Sequence, residues 1–252
     1  MRSLFVGLIA LVMTVLLGPV VIVAALLRVS QGPDSIYSRC VRLWARSVNW
    51  SAGVRVRVHG DRPPVGQGAV YVANHVSWFD IFALAAEVPW CSFIAKSELR
   101  KIPLFGFAAE VVGIVFLDRD NLKSAFESYE MAAGAVQKGR SIIVCPEGTR
   151  GFDYHLRPFK KGPFVFAIAS QAPVIPTIVY GAREVMPKGT FRIRSGVVDL
   201  HFLEPVPTAG LDYDSRGELT TTVWSVMADA LRRLYGITSA ERAIAAAGER
   251  QE

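Results

Sequence analysis

The segment Asn74-His75-Val76-Ser77-Trp78-Phe79-Asp80 places an imidazole five positions ahead of a carboxylate, directly after the apolar run Val70–Ala73. A carboxylate that holds one ring nitrogen leaves the other free as a base, which is the logic of a histidine–aspartate dyad without a nucleophile of its own. Geometry constrains the pairing. Five positions on a regular helix differ by about 140°, so the two side chains meet only if His75 stands in the turn before a helix. Asp80 must then sit in the first turn, with Ser77 as N-cap. Ser77-x-x-Asp80 is equally a capping pattern, and spacing alone leaves both roles open to Asp80.

A second cluster, Cys145-Pro146-Glu147-Gly148-Thr149-Arg150, again follows an apolar run and is trailed by Phe159-Lys160-Lys161-Gly162. Glycine permits close backbone approach, threonine and amide N–H groups donate, and Arg150 with the lysines supplies positive charge, a combination suited to a phosphate monoester. The competing reading is a polar loop with solvated charges. A third run, Gly113-Ile114-Val115-Phe116-Leu117-Asp118-Arg119, ends in a charged pair or an ordinary surface turn. The sequence contains no GxGxxG, no P-loop, no GxSxG elbow and no HExxH, so cofactor oxidoreductase, NTPase, serine hydrolase and zincin readings lose ground.

All three clusters need strands to aim them. Val54, Val56 and Val58 alternate with Arg55 and Arg57 as a half-exposed strand, and further short apolar runs lie near 69–73, 91–95, 112–117, 141–145, 175–179 and 197–203. Helical patterns fall between them near 78–88, 121–138 and 163–170. A last helix carries Val223, Val226, Met227, Ala230, Leu231 and Leu234 in one stripe, opened by a Ser215-x-x-Glu218 capping box and stopped near Gly236. This alternation predicts an α/β fold with a mixed, mostly parallel sheet flanked by helices. Strand ends in such sheets are where sites gather. The uncharged stretch 164–182 is broken by Pro173 and Pro176 and reads as buried helix and strand rather than a span.

Half of the 252 residues (51%) are hydrophobic and 20% charged, which argues against disorder; three cysteines without CxxC exclude a disulfide scaffold and a zinc ribbon. The net charge of +6 resides in residues 1–60, which hold seven arginines against Asp34. From Leu4 to Leu27 no residue is charged, and 24 positions at about 1.5 Å make a helix of about 36 Å, enough to cross a bilayer. Gly18-Pro19 in its middle leaves open a helix pair dipping into one leaflet. Arg28, Arg39, Arg42 and Arg46 outweigh Arg2, and the positive-inside rule places the main domain on the cytoplasmic side of a cell membrane. Tyr37, Cys40, Val41, Trp44 and Val48 share one face of a helix over 35–50, a pattern for the lipid interface or for packing on the domain. The expected organisation is a membrane anchor with basic interfacial helix over 1–50, an α/β domain over 51–236 and a polar tail over 237–252.

Asn74-His75…Asp80, Phe116-Leu117-Asp118-Arg119, Glu147-Gly148-Thr149-Arg150 and Val174-Ile175-Pro176 resemble, in order and spacing, the four motif blocks of the glycerolipid acyltransferase family, and within it the enzymes that acylate 1-acylglycerol 3-phosphate. The match covers roughly 71–180. Gly151 departs from it, where many members have serine. The resemblance implies that His75 is the base and Asp80 its orienter, and that Arg119 and Arg150 hold the acceptor phosphate. Asn74, Glu147, Gly148 and Thr149 join them as substrate-binding residues, and Lys96, in Ala95-Lys96-Ser97-Glu98-Leu99, resembles a lysine that faces the phosphate. It implies no metal and no cofactor beyond the acyl donor, acyl-CoA or acyl-carrier protein. Its partners would be the bilayer, a lysophospholipid acceptor and that donor, without nucleic acid. Two alternatives stand beside it: another acceptor within the family (glycerol 3-phosphate, a lyso-aminolipid or another lysophospholipid), and a non-enzymatic lipid-binding membrane protein.

Overall fold

The computed structural model describes residues 1–62, 65–118 and 122–239. Seven strands, β1 (Val54–His59), β2 (Val70–Ala73), β3 (Cys91–Lys96), β4 (Val115–Leu117), β5 (Ser141–Val144), β6 (Val174–Tyr180) and β7 (Gly196–Phe202), form one sheet in the order β1-β7-β6-β2-β5-β3-β4. Every pair is parallel except β6–β7, so the expected mixed, mostly parallel sheet is what forms. The central strand β2 is buried along its whole length and pairs Val72 with both Val144 and Pro176. The proline of the fourth motif block therefore frames the strand that delivers His75.

Two apolar layers sandwich the sheet. Helices α2 (Ile36–Ala52) and α3 (Trp78–Glu87) cover one face with Val48, Ala52, Phe79 and Leu84. Helices α5 (Leu122–Gln137), α6 (Gly162–Ser170) and α8 (Arg216–Tyr235) cover the other with Val136, Phe164, Phe166, Val223 and Met227. A short helix α4 (Phe105–Val111) runs up to the segment read as the strand 112–117, with Val112 as its C-cap. Gly113, at φ +95°, breaks away from it, and only three residues remain extended. A four-residue helix α7 (Ala182–Val185) follows β6.

Helix α1 (Arg2–Leu26) runs unbroken through Gly18-Pro19 and lies antiparallel to α2. Phe5 meets Trp50 near one end, the Trp44 indole donates to Thr14 Oγ1 midway, and Val21 and Ala24 join Tyr37 and Cys40 at the other. Gly18 lets Leu104 approach: a Cβ there would stand 3.2 Å from Leu104 Cγ. The apolar stripe of α2 thus faces α1, α3 and the sheet, the second of the two readings of that face. Neighbouring helices and strands bury that stripe, leaving Arg39, Leu43, Arg46 and Trp50 outside. Val6 also enters the core, so α1 packs on the α/β domain as well as on α2.

The capping box at Ser215 does not form. Tyr213–Ser215 already turn as a 3-10 helix, so the N–H groups of Asp214 and Ser215 and the Ser215 hydroxyl all donate to Asp212 Oδ1. At the other end of α8, Ile237 packs on the second core and Ser239 Oγ accepts the Leu156 N–H at 2.8 Å, so the domain continues past 236. Positions 240–252 of the expected tail lie outside the described residues.

Candidate active site

The carboxyl ends of β2, β5 and β3 stand side by side, and each carries one cluster: His75 after β2, Glu147–Arg150 after β5, Lys96 at the end of β3. His75 occupies the turn before α3, and its Nδ1 lies 2.8 Å from Asp80 Oδ2. A carboxylate has no proton to give, so Nδ1 carries the hydrogen and Nε2 keeps its lone pair. Asp80 is fully buried and also caps: the same Oδ2 accepts the Val76 and Ser77 N–H groups at 2.7 and 2.8 Å, while Ser77 Oγ accepts from Phe79. The two roles left open by spacing belong to one oxygen. Among the described residues Asp80 Oδ1 is buried without a partner, so the ring and the helix start hang on the same atom.

The loop after β5 is clamped onto this turn. Glu147 Oε1 accepts the His75 N–H at 3.0 Å, and the Gly151 N–H donates to the His75 carbonyl at 2.7 Å. Burial pushes the Glu147 carboxyl above its ordinary range, while the charge of Arg157 and hydrogen bonds from Arg157 and the His75 N–H pull it back. Arg157 Nε donates to Glu147 Oε2 at 2.8 Å, and its Nη2 donates to the Thr149 carbonyl. Gly148, at φ +75°, turns the loop where an added Cβ would sit 2.9 Å from Lys160 Cε.

One cavity of about 1000 Å³ collects His75, Trp78, Lys96, Thr149, Arg150 and Lys160 on its wall. It runs along α3 past Ile81 and Phe82 to Ala85, and back along β3 from Lys96 to Cys91, with α1 closing it at Leu17 and Val21. Its wall is apolar over most of this length. Arg150 lays its guanidinium 5.1 Å over the Trp78 ring and has no carboxylate partner among the described residues; its carbonyl accepts from Lys188 Nζ at 2.6 Å. Lys96 reaches Glu98 at 2.8 Å, both in solvent, and pulls that carboxyl below its usual range.

His75, Asp80, Lys96, Gly148, Thr149 and Arg150 therefore converge as the motifs suggested. Two expected substrate-binding residues do not line the cavity. Asn74 is buried and closes its amide on β6, donating to the Val179 carbonyl at 3.0 Å and accepting its N–H at 2.8 Å, while Glu147 faces the His75 backbone. Both act as framework here: the Asn74 amide is engaged by main chain, and the Glu147 carboxylate by the His75 N–H and the Arg157 guanidinium. Arg119 lies outside the described residues. Sequence reasoning missed Trp78 as the shelf for Arg150, though it stands inside the first block. It also missed Arg157 and Lys188, which carry no signal beyond charge in a polar loop.

A family model described as Acyltransferase matches residues 55–180. The chain is 31% identical over 199 residues to a human protein, "1-acyl-sn-glycerol-3-phosphate acyltransferase alpha", covering 78% of this chain and 70% of that one. It is 33% identical over 188 residues to the Saccharomyces cerevisiae "1-acyl-sn-glycerol-3-phosphate acyltransferase", covering 72% and 61%. The crystal structure of the 1-acyl-sn-glycerophosphate (LPA) acyltransferase from Thermotoga maritima superposes with a TM-score of 0.78 at 28% identity, over 95% of this chain and 97% of that one.

Proposed function

Since the chain belongs to the acyltransferase family, we infer that it moves a fatty acyl group from an acyl thioester to the free hydroxyl of 1-acylglycerol 3-phosphate, giving phosphatidate. One observation carries the reading: the free Nε2 of an Asp80-held His75 opens on a cavity that is apolar along α3 and cationic beside the histidine.

Nε2 takes the hydroxyl proton as that oxygen attacks the thioester carbonyl carbon. The C–O bond forms, the C–S bond breaks, and the leaving sulfur receives the proton from the imidazolium, which Asp80 has stabilised meanwhile. Thioesters are already activated, so a base supplying about 10²–10⁴ in rate, with positioning, suffices without a covalent enzyme intermediate. Arg150, over the Trp78 ring, presents its planar donors to the acceptor phosphate, and Lys96 adds charge from β3.

The donor is acyl-CoA or acyl-carrier protein, and the acceptor and product reside in lipid. The outer face of α1, with Leu4, Leu8, Leu11, Val15, Leu16, Val23 and Leu26 exposed, supports a lipid surface as its partner. Because Val6, Gly18, Val21 and Ala24 pack inward, the helix is not apolar-exposed all round, which supports a seat in one leaflet over a free-standing span. The basic residues beside it support a catalytic domain on the cytoplasmic side. The test is thiol release by purified protein in detergent with palmitoyl-CoA and a panel of acceptors. Lysophosphatidate should outrun glycerol 3-phosphate and lysolipids without a terminal phosphate; preference for any of those would overturn the acceptor assignment.

A further inference from the structure

His75 is held at two levels. Asp80 sets the ring, and Glu147 with Gly151 sets the main chain from which the ring hangs. Glu147 does this with a side chain only 3% exposed, where a carboxylate stays charged only against a counter-charge. Two titratable or charged groups face it, His75 across the His75 N–H and Arg157 on the opposite oxygen.

We propose that Arg157 is a positioning residue for the catalytic histidine, acting through Glu147. Its guanidinium keeps both Glu147 oxygens as acceptors, one for Arg157 Nε and one for the His75 N–H. The clamp depends on that count. A protonated carboxyl turns one of the two oxygens into a donor facing a donor, and either the His75 bond or the Arg157 bond is lost. Arg157 is itself fastened: its Nη2 holds the Thr149 carbonyl of the same loop, and its carbonyl accepts the Trp224 indole N–H at 3.2 Å from α8. It does not line the cavity that holds His75. Loss of the guanidinium leaves burial at Glu147 opposed only by its contacts with His75, and the clamp then fails as pH falls through a range where the native enzyme is intact.

The proposal rests on the acyl-transfer reading, and wild-type protein assayed alongside separates the two. A wild type that transfers no acyl group breaks that reading, whereas an active wild type leaves the variants to judge the proposal. The measurement is kcat and acceptor KM for thiol release between about pH 5 and 9 for Arg157→Met, Arg157→Lys, Glu147→Gln and the double variant Glu147→Gln/Arg157→Met. Arg157→Met should move the acid limb of kcat upward by about one pH unit. It should also lower kcat near neutrality about tenfold, with acceptor KM within about twofold. Arg157→Lys keeps the charge and should restore the limb. With glutamine at 147 there is no carboxyl to titrate, so adding Arg157→Met should not shift the limb further. Arg157→Gln, neutral but still able to reach, carries the same expectation where Arg157→Met does not fold. An acid limb unmoved in the folded neutral variants would overturn the proposal, as would an equal shift in the Glu147→Gln background.

Discussion

One carboxylate oxygen, Asp80 Oδ2, accepts the His75 ring and two backbone N–H groups at the start of α3. Asp80→Asn should therefore fail twice. An amide can offer one oxygen to the helix start, but it does not stabilise the imidazolium, and the rate per folded molecule should fall by about 10²–10⁴. Loss of the charged cap should also cost about 1 kcal/mol of stability. Thermal unfolding and turnover measured on the same preparation separate these effects, and an unchanged rate with lowered stability would leave Asp80 a cap only. Arg150 makes a second case at this scale. Arg150→Lys keeps the charge but loses the planar fork and the contact on Trp78, so kcat/KM for lysophosphatidate should fall by more than tenfold against a smaller loss for a lysolipid without a terminal phosphate. Equal losses on both acceptors would remove Arg150 from the phosphate.

Among the elements, β2 is aimed by its neighbours, and Asn74 is the join. Asn74→Ala leaves the Val179 N–H and carbonyl buried without partners, at a cost of about 1–3 kcal/mol each. Thermal stability should drop by several degrees while acceptor KM of the folded fraction stays put; a raised KM at unchanged stability would return Asn74 to the substrate. The far edge of the sheet sets a pH limit instead. Burial and the stacked His59 ring, 4.3 Å away, hold His201 below its ordinary value. The unfolded chain thus binds the proton more readily, so this contribution is present above about pH 6.5 and is lost as pH falls below it. His201→Asn should flatten the decline in melting temperature over that range. Local pattern made these elements legible: alternation gave the strands, and the first block placed His75 and Asp80 correctly because a turn followed by an N-cap is a local geometry. Where α2 buries its stripe, whether Ser215 caps, and which loop arginine meets Glu147 are decided by residues distant in the chain or by a preceding turn, and no spacing encodes them.

At the scale of the molecule, the packed hairpin of α1 and α2 both walls the cavity and leaves an apolar outer face. Leu8 and Leu16 are 55% and 59% exposed on it. The double substitution Leu8→Glu/Leu16→Glu should weaken co-sedimentation with anionic lipid vesicles at least tenfold and leave thiol release in detergent nearly intact, since neither residue lines the cavity. Undiminished vesicle binding would move the lipid-facing surface elsewhere. Narrower than any of these is the proposed role of His75 as the base of an acyl transfer. It is tested by acceptor-dependent thiol release from palmitoyl-CoA with lysophosphatidate, comparing wild type with His75→Ala at matched thermal stability. The expected result is robust release by the wild type and a loss on the order of 10²–10⁴ or more in the variant. Near-normal turnover by a folded His75→Ala protein would contradict the mechanism.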